Sequence, residues 1–160
     1  MSHERELLLA GLQHSFKTDL RVENPCLKYT IAGTFPVALS RMPESLLSKR
    51  DDAKIAHMIA NEAGLNFHRK LIPTSQFNKE LFAKLDFKIL WVSTNGERKS
   101  KEVIGHTMGV VPMENKGDTY EIVDLLQNAP WVVMDAQRVC ALVKTYHKLS
   151  ETNIICYIFS

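Results

Sequence analysis

Three residues, Cys26, His106 and Asp124, have the types from which a nucleophilic triad is built. In such a triad an imidazole takes the proton of the thiol, and a carboxylate fixes the imidazole tautomer and stabilises its charged form. The three residues are far apart along the chain. They can act together only if the elements that carry them converge.

The stretch "RVENPCLKYTIAG" (21–33), which contains Cys26, is compatible with two structures. In a helix, Asn24 would be the N-cap and Pro25 the first helical residue, so Cys26 would lie in the first turn. There the free backbone N–H groups and the helix dipole favour a thiolate. In a strand, Cys26 would have no particular role, and the apolar residues would alternate along one face: Leu27, Tyr29 and Ile31.

His106 and Asp124 lie on two segments that read as a β-hairpin. The strands are "EVIGHTMGVVPM" (102–113) and "TYEIVDLL" (119–126), and the intervening "ENKGD" supplies the turn residues. In an antiparallel ladder closed at this turn, residues whose numbers sum to about 230 lie opposite each other. His106 and Asp124 meet this condition, and Gly105 and Gly109 leave room for another backbone or a substrate beside the histidine.

The other candidate residues point to structural roles. Cys140 and Cys156 lie among apolar residues, so we expect buried, inert thiols. His57 and His68 have no further ligands at metal-site spacing. The sequence contains no nucleotide-binding, zinc-protease or serine-hydrolase motif, so we expect neither a metal nor a cofactor.

Composition is typical of one globular domain spanning residues 1–160, with 45% apolar and 24% charged residues. A net charge of +2 argues against nucleic acid as the main partner. No apolar run approaches the roughly 20 residues needed to cross a bilayer, and "ELLLAGL" is too short and acidic for a signal peptide. Three widely spaced cysteines fit a reducing compartment, so we expect a cytoplasmic protein without a membrane partner.

Periodicity predicts helices first, then a strand, the hairpin, a helix and a final strand. This order is typical of an α+β fold with a mainly antiparallel sheet. The expected helices lie within residues 1–20 (apolar face Leu7, Leu8, Leu12 and Phe16), from 43 to Gly64, over 75–85 with Ser75 as cap, and over 132–149. The expected strands outside the hairpin are 87–93, followed by a turn at Asn95-Gly96, and 153–159 in the sheet interior.

This layout resembles a papain-like thiol hydrolase: a Cys opens an N-terminal helix, a His starts one strand, an Asp ends the next, and a helix and a strand follow. It is most similar to compact Josephin-type deubiquitinases and to the small glutamine deamidases that bacteria deliver into host cells. The resemblance implies N-terminal helices packed on the sheet, with Cys26 as nucleophile, His106 as general base and Asp124 as the residue that orients it. It also implies a protein substrate, such as ubiquitin or a ubiquitin-pathway protein, and allows secretion into a host cell as an effector.

These families place a Gln or Asn a few residues before the Cys to bind the oxyanion. The candidates here are Gln13, which lies well upstream, and Asn24, which the helix interpretation uses as a cap. The sequence therefore indicates a cysteine-dependent hydrolase of a protein amide bond, as a peptidase, deubiquitinase or glutamine deamidase. The alternative is a non-catalytic α+β protein-interaction module in which the His-Asp pair only stabilises the hairpin.

Overall fold

The computed structural model describes residues 3–19, 24–48 and 51–160. The helices are α1 (His3–Thr18), α2 (Pro25–Thr34), α3 (Pro36–Leu39), α4 (Glu44–Ser48), α5 (Asp52–Ala63), α6 (Lys79–Lys84) and α7 (Ala136–Tyr146). The strands are β1 (Phe67–Pro73), β2 (Ile89–Lys99), β3 (Glu102–Pro112), β4 (Tyr120–Val123), β5 (Val132–Met134) and β6 (Asn153–Phe159).

The strands form one six-stranded sheet in the order β1-β6-β2-β3-β4-β5, and all neighbouring strands are antiparallel. The predicted α+β class with an antiparallel sheet is therefore confirmed. The final strand, β6, lies between β1 and β2, as its continuous apolar sequence predicts.

Helices cover both faces of the sheet. Along β2, Leu90 and Val92 pack in a core with α6 and α7, whereas Trp91 between them packs in a second core with α2 and α5. Successive side chains of a strand point to opposite faces, so β2 is buried on both sides. The sheet is thus a central layer, and helices on both of its faces can place functional groups against it.

The ambiguous stretch around Cys26 is a helix. Pro25 is the first residue of α2, and the helix ends at Thr34, immediately before Phe35 and Pro36. The hydroxyls of Thr30 and Thr34 bond to the carbonyls four residues back, at 2.8 and 2.6 Å, so these β-branched residues fit the helix. The strand interpretation was wrong because tertiary packing outweighs β-propensity here.

The predicted N-cap position of Asn24 is confirmed, but its side chain does not cap the helix. Asn24 occupies the N-cap position in the left-handed conformation, with φ of 49°, and its side chain makes no cap hydrogen bond. The amide instead donates to the carbonyl of Leu47, in α4. Asn24 therefore ties the start of α2 to a neighbouring helix.

The buried face of α1 differs from the predicted one. Leu9 and Gln13 are buried, with Leu12 and Phe16 partly buried beside them, whereas Leu7 and Leu8 are exposed. The predicted helix is present, but its buried face is rotated from the predicted face. The buried face includes a polar residue, Gln13, which an apolar pattern does not reveal.

Three other boundaries differ from the prediction. Asn78, not Ser75, caps α6, since its side chain accepts the Leu81 N–H at 2.9 Å. Asn95-Gly96 forms a bulge within β2, and the chain turns later, at Ser100. Val132–Met134 is a strand, so the late helix begins only after its N-cap Asp135.

Among the helices that the structure describes, none is long and apolar enough to cross a membrane.

Candidate active site

The structure brings Cys26, His106 and Asp124 together. His106 Nδ1 lies 3.0 Å from Cys26 Sγ, and His106 Nε2 lies 2.6 Å from Asp124 Oδ1. Cys26 is partly accessible, whereas His106 is 7% exposed and Asp124 is fully buried. One imidazole thus bridges an accessible sulfur and a buried carboxylate, which is the connectivity of a nucleophile, a base and an orienting group.

The strand register that places His106 near Asp124 is shifted from the predicted one. Gly109 pairs with Val123 and Val110 with Ile122, so paired residues sum to 232, not to about 230. Asp124 follows the last residue of β4 and is diagonal to His106 on the same face. Diagonal neighbours remain within reach of long side chains, so the contact forms despite the shift.

Two glycines allow α2 to lie directly on the sheet. A Cβ added at Gly33 would lie 2.3 Å from Val123 Cγ1, and one added at Gly109 would lie 2.7 Å from Thr34 Cγ2. Thr30 Oγ1 also lies 3.2 Å from the Thr107 carbonyl oxygen. This close approach sets the first turn of α2 against β3, where the sulfur of Cys26 meets His106.

Four hydrogen bonds satisfy the carboxylate of Asp124. Oδ1 accepts from His106 and from the Leu126 N–H at 3.0 Å. Oδ2 accepts from the Tyr146 hydroxyl at 2.7 Å and from the Gln127 side-chain amide at 3.2 Å. A fully buried carboxylate with this many donors is held as an anion in one orientation.

The pKa values of the His-Asp pair move apart. Burial alone would lower the pKa of His106, but the hydrogen bonds to Asp124 and Cys26, with their charges, outweigh it and raise the value to about 9. Burial would raise the pKa of Asp124, but hydrogen bonding to His106, the imidazolium charge and the Tyr146 and Leu126 donors lower it. At neutral pH the pair is therefore imidazolium and carboxylate, with the imidazolium directly beside the sulfur of Cys26.

A surface groove of about 410 Å³ opens at Cys26 and His106. Its wall includes the bulge residues Gly96 and Glu97, together with Tyr146. Two large apolar side chains also line it while remaining in contact with solvent, Ile104 with 42% and Leu126 with 58% exposure. The sulfur is therefore reachable from an open groove that offers both apolar and backbone surface.

Comparison of the chain with protein-family models, with curated proteins and with solved structures finds no match in any of the three.

Gln13 and Asn24, the predicted oxyanion donors, are engaged elsewhere. The Gln13 amide nitrogen lies 3.2 Å from the Leu125 carbonyl oxygen and 2.6 Å from that of Gln127. Two carbonyl partners use both of its N–H groups. Gln13 therefore holds the loop that follows Asp124 by hydrogen bonds, and Asn24 is hydrogen-bonded to α4 at the Leu47 carbonyl.

The remaining cysteines are buried, as predicted. Burial raises the pKa of Cys140 to about 11 and that of Cys156 to about 12. Both thiols therefore stay protonated at neutral pH. In the described part of the chain, no group of three or more His, Cys, Asp or Glu side chains could hold a metal ion.

Nothing in the sequence indicated that Tyr146 contributes to this site. Besides the bond to Asp124, its ring packs against the His106 imidazole with centroids 4.6 Å apart at 65°. Gln127, which contacts both Asp124 and the Tyr146 hydroxyl, was also missed. No local pattern marks either residue, since each reaches the site through tertiary packing.

Proposed function

We propose that this chain is a papain-like, cysteine-dependent hydrolase that acts on an amide bond of a protein substrate. The observation that carries the proposal is the continuous contact from Cys26 Sγ through His106 to Asp124, beside an open groove. A surface His-Asp pair that only stabilised a hairpin would need neither a thiol at 3.0 Å nor a fully buried carboxylate.

The proposed reaction begins with the Cys26 thiolate and the His106 imidazolium. Sulfur attacks the amide carbonyl carbon, forming a C–S bond and a tetrahedral oxyanion. His106 transfers its Nδ1 proton to the departing nitrogen as the C–N bond breaks, which leaves a thioester on Cys26. The same imidazole nitrogen then removes a proton from water, the hydroxide attacks the thioester, and breakage of the C–S bond regenerates the thiolate.

The backbone N–H of Cys26 is the proposed donor to the oxyanion. Cys26 is the second residue of α2, so its N–H has no carbonyl partner within the helix. The positive end of the helix dipole also favours the developing negative charge. This donor replaces the side-chain amides of Gln13 and Asn24, which are engaged elsewhere.

Peptidase, deubiquitinase and glutamine deamidase activities differ in the leaving group, which is an amine or ammonia. All three use the same thioester. For a ubiquitin-type substrate the product is a free lysine amine, and for a deamidase it is ammonia with a new glutamate in the target. Measuring which product forms on candidate protein substrates assigns the activity within the class.

Acylation by an activated ester, p-nitrophenyl acetate, tests the proposal without knowledge of the substrate. We expect a burst of p-nitrophenol equal to the enzyme concentration, and peptide mapping should find the acetyl group on Cys26. Cys26→Ala should abolish the burst, whereas the matched variant Cys140→Ser should retain it. Absence of a burst in the native protein, or acetyl groups spread over lysines, would contradict the proposal.

A further inference from the structure

His147 is a buried histidine that the proposed reaction does not use. It is 3% exposed, and both ring nitrogens are engaged. Nδ1 lies 3.0 Å from the backbone nitrogen of Asn95, and Nε2 lies 2.9 Å from the carbonyl oxygen of Thr152. A backbone N–H can only donate and a carbonyl can only accept, so Nδ1 carries a lone pair and Nε2 carries the proton. The imidazole is therefore neutral, in a defined tautomer.

The ring joins the end of α7 to the bulge of β2. His147 is the C-cap of α7, and its own N–H donates to the Val143 carbonyl at 2.9 Å. The next two backbone N–H groups, of Lys148 and Leu149, donate to the Asn95 carbonyl at 3.0 and 3.1 Å. The backbone N–H of Asn95 thus bonds to the His147 imidazole, and the carbonyl of Asn95 bonds to the two residues that follow His147.

This junction adjoins the candidate site from two directions. Tyr146, immediately before His147, bonds to Asp124 and packs on the ring of His106. Gly96 and Glu97, immediately after Asn95, form part of the groove wall. A displacement of the junction would therefore move both the support of the His-Asp pair and one side of the groove.

We propose that His147 is a positioning residue for this site, because its Nδ1 accepts from the Asn95 N–H and so joins the end of α7 to the bulge of β2. This inference rests on the proposed function for its catalytic consequence. Loss of this acceptor would leave the Asn95 N–H without the hydrogen bond that the ring provides, and the junction would loosen.

The charged and titratable groups on the elements around the ring lie toward the surface or the site. They are Glu97 and Arg98 of β2, Lys144 and Tyr146 at the end of α7, Lys148 just after it, and Glu151 before β6. Glu151 interacts electrostatically with His147 but is exposed and paired with Arg98 at 3.2 Å. The hydrogen bonds of the ring itself go to Asn95 and to the carbonyl and hydroxyl of Thr152.

His147→Asn and His147→Ala separate positioning from simple packing. The Oδ1 atom of an asparagine is attached as Nδ1 is in histidine, so it can accept from the Asn95 N–H, whereas alanine cannot. The exposed His57 of α5 supplies the matched control, His57→Asn. The measurements, both at neutral pH, are the hydrogen-exchange rate of the Asn95 amide and the iodoacetamide alkylation rate of Cys26.

We expect the Asn95 amide to exchange slowly with solvent in the native protein, in His57→Asn and in His147→Asn, and at least about tenfold faster in His147→Ala. Alkylation should fall about tenfold in His147→Ala and recover to within about twofold of the native rate in His147→Asn. If His147→Ala does not fold, His147→Leu supplies the variant without an acceptor. An Asn95 amide that is protected as well in the variant without an acceptor as in the native protein would overturn the inference. The exchange readout does not depend on thiol reactivity, so a slow native Cys26 would reject the proposed function without rejecting the role of His147 at the junction.

Discussion

At the scale of single residues, the site depends on opposing electrostatic effects on His106. Burial favours the neutral ring, but a carboxylate at 2.6 Å and a sulfur at 3.0 Å favour the charged ring, and together they prevail. An imidazolium that persists at neutral pH can donate a proton to a leaving group as soon as sulfur has attacked. The carboxylate of Asp124 is therefore expected to control the charge of His106 as well as its orientation.

Asp124→Asn tests this control. Without the carboxylate charge, less would oppose the effect of burial, which favours the neutral imidazole. The pKa of His106 should therefore fall well below the value of about 9 in the native protein. His106 would then lose the proton that it donates to the leaving group at a lower pH. The thioester on Cys26 should therefore form more slowly from an amide substrate at neutral pH. Titration of the imidazole resonances by NMR, with His106→Gln to assign the signal, measures the shift.

The exposed Asp86 gives a matched control, Asp86→Asn, which should leave the titration of His106 unchanged. An unchanged midpoint in Asp124→Asn would show that the carboxylate does not set the protonation of His106.

At the scale of elements, the approach of α2 to the sheet positions the nucleophile. Part of this was accessible from sequence: a helix starting at Asn24-Pro25 was one of two interpretations of that stretch, and "ENKGD" marked the turn before β4. The tight seating through Gly33 was not accessible, because it depends on Val123 from a distant strand. Local residue patterns do not encode which side chain fills the space left by a glycine.

Gly33→Ala tests the seating of α2. The added methyl group would overlap the Val123 side chain, so α2 or β4 must shift, at a cost of about 1–3 kcal/mol in the free energy of unfolding. The shift should also slow alkylation of Cys26, since the sulfur would no longer lie at the right distance from His106. Urea unfolding and iodoacetamide kinetics provide the two measurements.

Gly11→Ala in α1 is the matched control, because an added Cβ there has no atom within 4 Å. It should leave alkylation unchanged and stabilise the helix by up to about 1 kcal/mol. Combining Gly33→Ala with Val123→Ala should restore the alkylation rate. Equal stability of the two glycine variants would show that α2 is not closely seated.

Prediction failed where an element had an atypical pattern. Residues 67–73 form β1 at the edge of the sheet, where His68, Arg69 and Lys70 are all exposed, so no apolar alternation marks the strand. Charged residues are common on edge strands because they discourage association with other chains. Val132–Met134 was assigned to a helix because its apolar residues continue into the helical pattern of α7.

At the scale of the whole molecule, the candidate site is built where the two helical layers meet one strand. Cys26 comes from α2 in one layer, Tyr146 from α7 in the other, and His106 from β3 between them. Sequence predicted the proximity of the His-Asp pair from a hairpin register that was shifted by two. It could not predict Tyr146, Gln127 or the His147 junction, because each depends on how α7 and the following loop pack.

Whether His106 activates Cys26 is tested most directly by the iodoacetamide alkylation rate of Cys26 at neutral pH, in the native protein and in His106→Ala. Because Cys140 and Cys156 are buried, mass spectrometry of the folded protein should find the label on Cys26 alone. We expect the native sulfur to react at least about tenfold faster than free cysteine and to lose this advantage in His106→Ala. Equal rates in the two proteins would show that His106 does not activate Cys26.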